Sequence, residues 1–165
     1  YYLTFKSKTV GYNPQIILSG RKVNRNMSSH IFSKVKKALK ENNINLKEAK
    51  VGVLGITFKE NCSDTRNSQV IEIIKKLSTN NINVQIIDPY LDLKSFKDKY
   101  IKSKIVSTFN NLDLLIFAVP HKQFLKYSNK KILKFFGKKR PIIFDVKSIL
   151  NKDYFLKNNS YYWSL

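Results

Sequence analysis

The sequence predicts an α/β domain with a parallel sheet, preceded by one long helix. From residue 50 onward, short and continuously apolar segments alternate with stretches of helical periodicity. Strands of that kind are typical of a parallel sheet that helices cover on both faces. The preceding residues carry apolar side chains at helical spacing only, so a domain boundary is expected near residue 45.

The first element is expected to be one long helix within residues 14–43, or two helices in line. Pro14 suits the first helical position, because the N–H that proline lacks has no partner there in any helix. The pattern ends at Asn42-Asn43, and residues 44–49 are expected to form a linker. The apolar residues at helical spacing are Ile31, Phe32, Val35, Ala38 and Leu39.

The second part of the chain is expected to alternate strands and helices. Between the first two strands a helix is expected, which Asn80-Asn81 should end. The apolar residues that define one face of it are Val70, Ile71, Ile73, Ile74 and Leu77. A short helix is expected over residues 92–99. Continuous apolar strands are expected at 50–56, 83–88, 113–119 and 141–146.

The polar loop after the first strand carries the main functional signal. It holds Lys59, Asp64 and Arg66 ahead of the next helix. Ligands of open α/β sheets bind beyond the carboxyl ends of the strands, and these two cations suit phosphate or carboxylate. The alternatives are a solvated Lys59 and a surface ion pair of Arg66 with Asp64 or Glu72. Asp64 is expected to orient Arg66 or to cap the helix that follows.

The glycines of the first strand give only a weak dinucleotide-binding pattern. Gly52 and Gly55 form GxxG rather than GxGxxG. Asp88 lies well beyond the position about 20 residues downstream where an acidic residue is usual. The expected role of both glycines is close packing of the strand against a helix.

Two potentially reactive side chains are expected to be structural. His121 follows a strand at the edge where ligands gather, but a single histidine more often has a structural role. The single cysteine, Cys62, excludes an internal disulfide framework and an all-cysteine metal site. Neither histidine is near it in sequence to activate it as a nucleophile.

The formal net charge of +20 raises the possibility of nucleic-acid binding. The lysines are spread along the chain beside many Asn and Ile, as AT-rich codons would produce, so no specific nucleic-acid partner is expected. No apolar stretch approaches the roughly 20 residues that span a bilayer, and no signal-peptide pattern is visible, so a cytoplasmic location without membrane association is expected. The aromatic residues Phe155, Tyr161, Tyr162 and Trp163 are expected to pack the C-terminus onto the domain.

The run from Gly55 to Ser68 resembles the C-terminal domain motif of the UDP-glucose/GDP-mannose dehydrogenase family. Its Glu-Asn-Cys variant at 60–62 is similar to the branch that oxidises UDP-N-acetylhexosamines for surface polysaccharides. Further stretches agree with the family in the same order. They are Tyr1–Thr4, Gly20–Asn24, and Asp145–Leu150 with Tyr162-Trp163.

The resemblance implies a division into two parts. Residues 1–45 would end a central helical dimerisation domain, and residues 46–165 would form a Rossmann-like domain that binds the UDP-sugar. Family enzymes oxidise the sugar C6 hydroxyl to a carboxylate in two NAD-dependent steps, with a cysteine that captures the intermediate aldehyde. They bind NAD mainly on an N-terminal domain and form a dimer through the helical one.

This sequence contains neither the NAD fingerprint nor that cysteine, and Cys62 does not match it. The chain alone is therefore expected to be catalytically inactive while still binding the UDP-sugar. The alternative is a non-catalytic remnant or split subunit, which either binds a nucleotide-sugar or only dimerises.

The resemblance also assigns residues. Arg66 would reach the NAD that is bound on the other domain. Lys147 stands where many members have a substrate-binding arginine. A lysine there cannot make the two parallel hydrogen bonds of a planar guanidinium. Arg21 and Asn24 would contact substrate from the helical domain, partly across the dimer. The residues assigned to the UDP-sugar are Phe58, Lys59, Lys147, Arg21 and Asn24.

Overall fold

A six-stranded parallel sheet forms the centre of the protein in this computed structural model, which describes residues 2–93, 96 and 104–165. The strands are β1 (Lys50–Leu54), β2 (Asn83–Ile87), β3 (Lys104–Ile105), β4 (Leu114–Phe117), β5 (Ile142–Asp145) and β6 (Tyr161–Ser164). The helices are α1 (Tyr2–Thr9), α2 (Gln15–Glu41), α3 (Gln69–Thr79), α4 (Lys122–Leu125), α5 (Asn129–Lys134) and α6 (Lys152–Lys157).

The strand order is β3-β2-β1-β4-β5-β6, and every neighbouring pair is parallel. The chain runs outward from β1 to β3 and then returns to the other side of β1 with β4. The strand order thus reverses between β1 and β4, and we call this position the switch point. A crevice opens there beyond the carboxyl ends of the two strands, where such sheets bind ligands. The predicted parallel α/β sheet is confirmed.

Alternating side chains of the strands build a core on each face of the sheet. Val53 and Ile116 point to the face that α2 and α3 cover. Phe117 and Ile143 point to the opposite face, against α4, α5 and α6. All four positions of β4 and of β5 are buried, which explains why these strands are apolar throughout except for Asp145 at the end of β5.

The predicted long helix is confirmed as a single element, α2, which begins directly after Pro14. Its C-terminal half buries Ile31, Val35, Ala38 and Leu39 in the same core as the sheet. The buried face of α3 consists of Ile71, Ile73, Ile74 and Leu77, and Asn80 follows its last turn as predicted. Among the described residues, no helix combines the length and the apolar character needed to span a membrane.

The structure contains short elements that the sequence did not predict: α1, α4, α5, α6, β3 and β6. The C-terminal aromatic residues pack onto the domain as expected, because β6 extends the sheet. Trp163 stacks on Phe144 with ring centroids 4.8 Å apart, and Tyr162 stacks on Phe155 at 6.1 Å. The predicted helix over residues 92–99 lies largely outside the described residues.

Gly52 of β1 and Gly55 directly after it permit close packing, but the partner is not the expected helix. Gly55 has φ +83°, and a Cβ there would lie 2.5 Å from Val119 Cβ and 2.7 Å from the Val119 carbonyl oxygen. A Cβ at Gly52 would lie 2.5 Å from Leu112 Cδ1. Leu112 and Val119 lie just before and just after β4, the strand that is hydrogen-bonded to β1.

Candidate functional site

A cleft of about 320 Å³ lies at the switch point, between the carboxyl edge of the sheet and the middle of α2. The loop from Gly55 to Ser68, which we call the β1–α3 loop, forms one wall of this cleft. Apolar side chains from three elements form part of its lining: Met27 and Ile31 of α2, Ile73 of α3, and Val119 after β4. Polar side chains that line it include Asn24, Lys59, Glu60, Ser68 and Lys147.

The β1–α3 loop is held in a compact conformation by its own hydrogen bonds. The N–H of Phe58 donates to the carbonyl of Asp64 at 2.7 Å, and the buried Thr57 hydroxyl donates to the carbonyl of Lys59 at 3.1 Å. The side chains of Phe58 and Lys59 remain exposed and line the cleft. The loop thus presents an aromatic ring and an ammonium group beside an apolar cleft.

Arg66 lies on the same loop but does not line the cleft. It forms a bidentate pair with Asp64, with Nε 3.0 Å from Oδ1 and Nη2 2.8 Å from Oδ2. This pairing lowers the pKa of the Asp64 carboxyl to about 2 and raises the pKa of Arg66. The predicted orientation of Arg66 by Asp64 is confirmed, whereas the N-cap position of α3 is occupied by Ser68.

Lys147 is positioned by a buried carboxylate at the end of β5. Asp145 accepts hydrogen bonds from the N–H of Lys147 at 3.3 Å and of Leu150 at 2.7 Å. It also accepts a 2.7 Å hydrogen bond from the Tyr162 hydroxyl. The turn that carries Lys147 is therefore fixed to the sheet, and Lys147 lines the same cleft as the β1–α3 loop.

The Tyr162–Asp145 contact should make stability depend on alkaline pH. Burial and the neighbouring carboxylate raise the pKa of Tyr162, so ionising this phenol costs more in the folded than in the unfolded chain. The Tyr162 hydroxyl therefore contributes its full share to the free energy of unfolding below about pH 10, the ordinary pKa of tyrosine. This contribution falls as the pH rises further, because the phenol then ionises more readily in the unfolded chain. Near neutral pH, Tyr162→Phe should be less stable than the unaltered protein by about 1 kcal/mol. This difference in the free energy of unfolding should be smaller at about pH 11.

Urea unfolding of the unaltered protein and of Tyr162→Phe, near neutral pH and at about pH 11, measures this difference in the free energy of unfolding. Tyr12→Phe is the matched control, since Tyr12 is exposed in the loop before α2. A difference for Tyr162→Phe that stays constant with pH would contradict the assigned role of this hydroxyl.

The structure brings together four of the six residues that the sequence singled out. Phe58, Lys59, Lys147 and Asn24 line one cleft. Arg21 lies one turn before Asn24 on α2, and its Nη1 donates to Thr4 Oγ1 of α1 at 2.9 Å. Arg21 and Arg66 both lie outside the lining of the cleft, and the roles of all six residues stay predictions.

Several residues of the cleft were not identified from the sequence. Those on α2 share a signal with its periodicity, because Met27 and Ser28 fall on the same helical face as Asn24, which the family resemblance assigns. Asn67 and Gln69 belong to the end of the β1–α3 loop and the first turn of α3, where free N–H groups favour anions. Among the described residues, no group of three or more His, Cys, Asp or Glu side chains could hold a metal ion.

Known proteins match both the sequence and the fold. The model of the UDP-glucose/GDP-mannose dehydrogenase family, UDP binding domain, matches residues 52–152. The chain is 41% identical over 155 residues to Protein CapL of Staphylococcus aureus, covering 93% of this chain and 36% of the relative. It is 38% identical over 153 residues to UDP-N-acetyl-D-glucosamine 6-dehydrogenase of Salmonella typhi, covering 91% of this chain and 35% of that protein.

A solved structure supports the fold. It is that of an NDP-N-acetyl-D-galactosaminuronic acid dehydrogenase from Methanosarcina mazei Go1, with a TM-score of 0.77 at 22% identity over 89% of this chain and 30% of that one. The chain spans about a third of the length of the curated relatives it matches.

Proposed function

The chain belongs to the UDP-glucose/GDP-mannose dehydrogenase family, and we propose that it is the UDP-sugar-binding C-terminal portion of an NAD-dependent nucleotide-sugar 6-dehydrogenase. The proposed reaction converts a UDP-N-acetylhexosamine to its uronate for surface polysaccharide synthesis in the cytoplasm. The identity with the Salmonella typhi enzyme supports this substrate class. The observation that carries the proposal is the cleft at the switch point, with Lys59 and Phe58 on its wall.

The cleft offers complementary chemistry for a nucleotide-sugar. The ammonium groups of Lys59 and Lys147 suit the diphosphate, and the N-terminus of the eleven-residue α3 adds its free N–H groups and dipole. Apolar side chains such as Met27 and Ile73 suit the faces of the base and sugar rings. The excess positive charge of the chain favours the approach of an anionic ligand.

We propose that NAD is bound mainly by another domain of the complete enzyme. The side chain of Arg66 is 85% exposed, so its guanidinium can reach a diphosphate presented from outside this domain. NAD supplies the hydride acceptor when bound. This chain's part is to hold the UDP-sugar in the cleft and to orient its reacting end towards the neighbouring domain.

Replacing Arg66 should therefore act on the cofactor rather than on the sugar. In the complete enzyme, Arg66→Ala should raise the KM for NAD by about tenfold with little change in the KM for the UDP-sugar. Arg66→Lys should recover only part of the loss, because the planar fork is absent. Steady-state kinetics with each substrate varied measures both values.

Arg140→Ala is the matched control for Arg66, since Arg140 bonds to Asn42 and Asn159 at the opposite end of the sheet. If Arg66→Ala and this control leave the KM for NAD equally unchanged, Arg66 has only its structural pair with Asp64.

We also propose that the complete protein is a homodimer through α2. The N-terminal half of α2 and the neighbouring α1 expose large apolar side chains that an isolated domain would hold in water. They include Leu3, Phe5, Ile16 and Val23, each more than 60% exposed. The alternative function, a subunit that binds nucleotide-sugar without catalysis or only dimerises, would use the same surfaces.

Calorimetric titration of the 165-residue chain with UDP and with ADP tests the proposed function. We expect saturable binding of UDP that is tighter than that of ADP, and no formation of NADH when a UDP-N-acetylhexosamine and NAD are added. Equal affinity for both nucleotides would indicate attraction to positive charge alone. Formation of NADH would show that the chain is a complete enzyme.

A further inference from the structure

A buried carboxylate–histidine pair lies behind the β1–α3 loop. Asp88 follows β2 and His121 follows β4, so both lie at the carboxyl edge of the sheet beside the switch point. Both side chains are fully shielded from solvent, and neither lines the cleft. Any influence of this pair on a ligand is therefore indirect, through the residues that it holds in place.

The carboxylate of Asp88 anchors the beginning of the loop. Its Oδ2 accepts hydrogen bonds from the N–H of Ile56 at 2.7 Å and of Thr57 at 3.2 Å. Its Oδ1 accepts from the N–H of Tyr90 at 2.8 Å, and His121 Nε2 lies 3.1 Å from Oδ2. A buried carboxylate is tolerated when donors surround it in this way. The end of β2 and the beginning of the loop are thus fixed to each other.

The imidazole of His121 contacts the loop on both sides of Lys59. Its Nδ1 accepts a 2.9 Å hydrogen bond from the N–H of Asn61, which places the proton of the neutral ring on Nε2. Nε2 lies 3.2 Å from the hydroxyl oxygen of Thr57 as well as near Asp88. Because the Thr57 hydroxyl donates to the Lys59 carbonyl, its oxygen accepts from the imidazole.

We propose that His121 is a positioning residue for Lys59. It fixes residues 57–61 so that the lysine faces the cleft before a ligand arrives. Asn61 supports the same arrangement, since it adopts φ +56° and its Oδ1 accepts from the N–H of Lys122 at 2.9 Å. A loop that is ordered in advance loses less conformational entropy on binding. The inference rests on the proposed function for the identity of the ligand, whereas the order of the loop is measurable without one.

The test replaces the ring and then restores one of its contacts. His121→Phe keeps an aromatic ring beside Tyr90 and Phe124 but removes both nitrogens. His121→Asn returns an acceptor near the position of Nδ1, where the Asn61 N–H needs it. The matched control is His30→Phe, which alters the other histidine of the chain on α2.

Amide hydrogen exchange and UDP titration of the 165-residue chain are the two readouts. His121→Phe should raise the exchange rate of the Asn61 amide by about tenfold or more relative to Val53 in β1, and should weaken UDP binding by about tenfold. His121→Asn should recover part of both effects, and His30→Phe should change neither. If His121→Phe does not fold, His121→Asn should still protect Asn61 better than His121→Gln, whose amide replaces Nε2 instead.

The outcomes separate positioning from general stability. Unchanged Asn61 exchange in His121→Phe overturns the proposal, and so does an equal loss of protection at Val53 without recovery by asparagine. Faster Asn61 exchange with unchanged UDP affinity also overturns it, because the loop would then be ordered without effect on the ligand. If the unaltered chain fails to bind UDP while the exchange follows the expected order, the proposed function is wrong and the anchoring of the loop stands.

Discussion

Replacing Lys59 with alanine is expected to weaken the binding of a UDP-sugar by roughly tenfold to a hundredfold. The reason is that a charge-assisted contact to a phosphate typically contributes about 1.5–3 kcal/mol. Lys59 is exposed on the wall of the cleft, and its backbone is held by Thr57, so the ammonium group is available in a defined place. In the complete enzyme the same change should raise the KM for the UDP-sugar and lower kcat.

The matched control for Lys59 is Lys122→Ala. Lys122 is an exposed lysine whose N–H bonds to Asn61, but its side chain is not part of the cleft. Titration of both variants with UDP-N-acetylglucosamine separates a specific contact from the general attraction of a basic protein for anions. Equal losses for the two variants would show that Lys59 contributes only net charge.

Replacing Gly55 with valine is expected to destabilise the fold by about 3 kcal/mol or more. Gly55 has a positive φ that a β-branched residue rarely adopts, and an added Cβ would overlap the backbone of Val119. The strand ends at the switch point cannot separate without disturbing the hydrogen bonds that the N–H groups of Ala118 and Val119 make to the carbonyl of Leu54. The same change would therefore also distort the cleft.

Gly20→Ala is the control for Gly55. Gly20 lies within α2, and an added Cβ there meets no atom within 4 Å. Alanine is the better helix former, so this variant should gain up to about 1 kcal/mol. Urea unfolding of the two variants measures the free energy of unfolding directly. A Gly55→Val protein with unaltered stability would mean that β1 and β4 do not approach as closely as described.

Much of the fold could be predicted because the apolar residues of the long elements follow a clear pattern in the sequence. β4 and β5 are buried at every position, and α2 and α3 repeat their apolar residues at helical spacing. The missed helices α4, α5 and α6 span only 4–6 residues, which is too short for a period to appear. β6 is half-buried throughout, so its sequence does not have the continuous burial of an inner strand.

The part of the site on the β1–α3 loop could be predicted from one continuous motif, whereas Lys147 and Asn24 could be assigned only through the family resemblance. Phe58 and Lys59 were found because they follow β1 within one motif. The pairing of Asp88 with His121 depends on the strand order, which places the ends of β2 and β4 on either side of β1. The contribution of Asn24 depends on how α2 packs across the sheet, and Arg21 instead bonds to α1, an element that the sequence did not predict.

The shifts of backbone amide resonances on addition of UDP show where the nucleotide binds on the 165-residue chain. If the cleft at the switch point holds the nucleotide, the largest shifts will occur in the residues that line it. These are Thr57–Glu60, Asn67–Val70, Ala118-Val119 and Lys147. Shifts at the opposite end of the sheet, around Asp113 and Arg140, or shifts spread evenly over the exposed lysines, would contradict binding in this cleft.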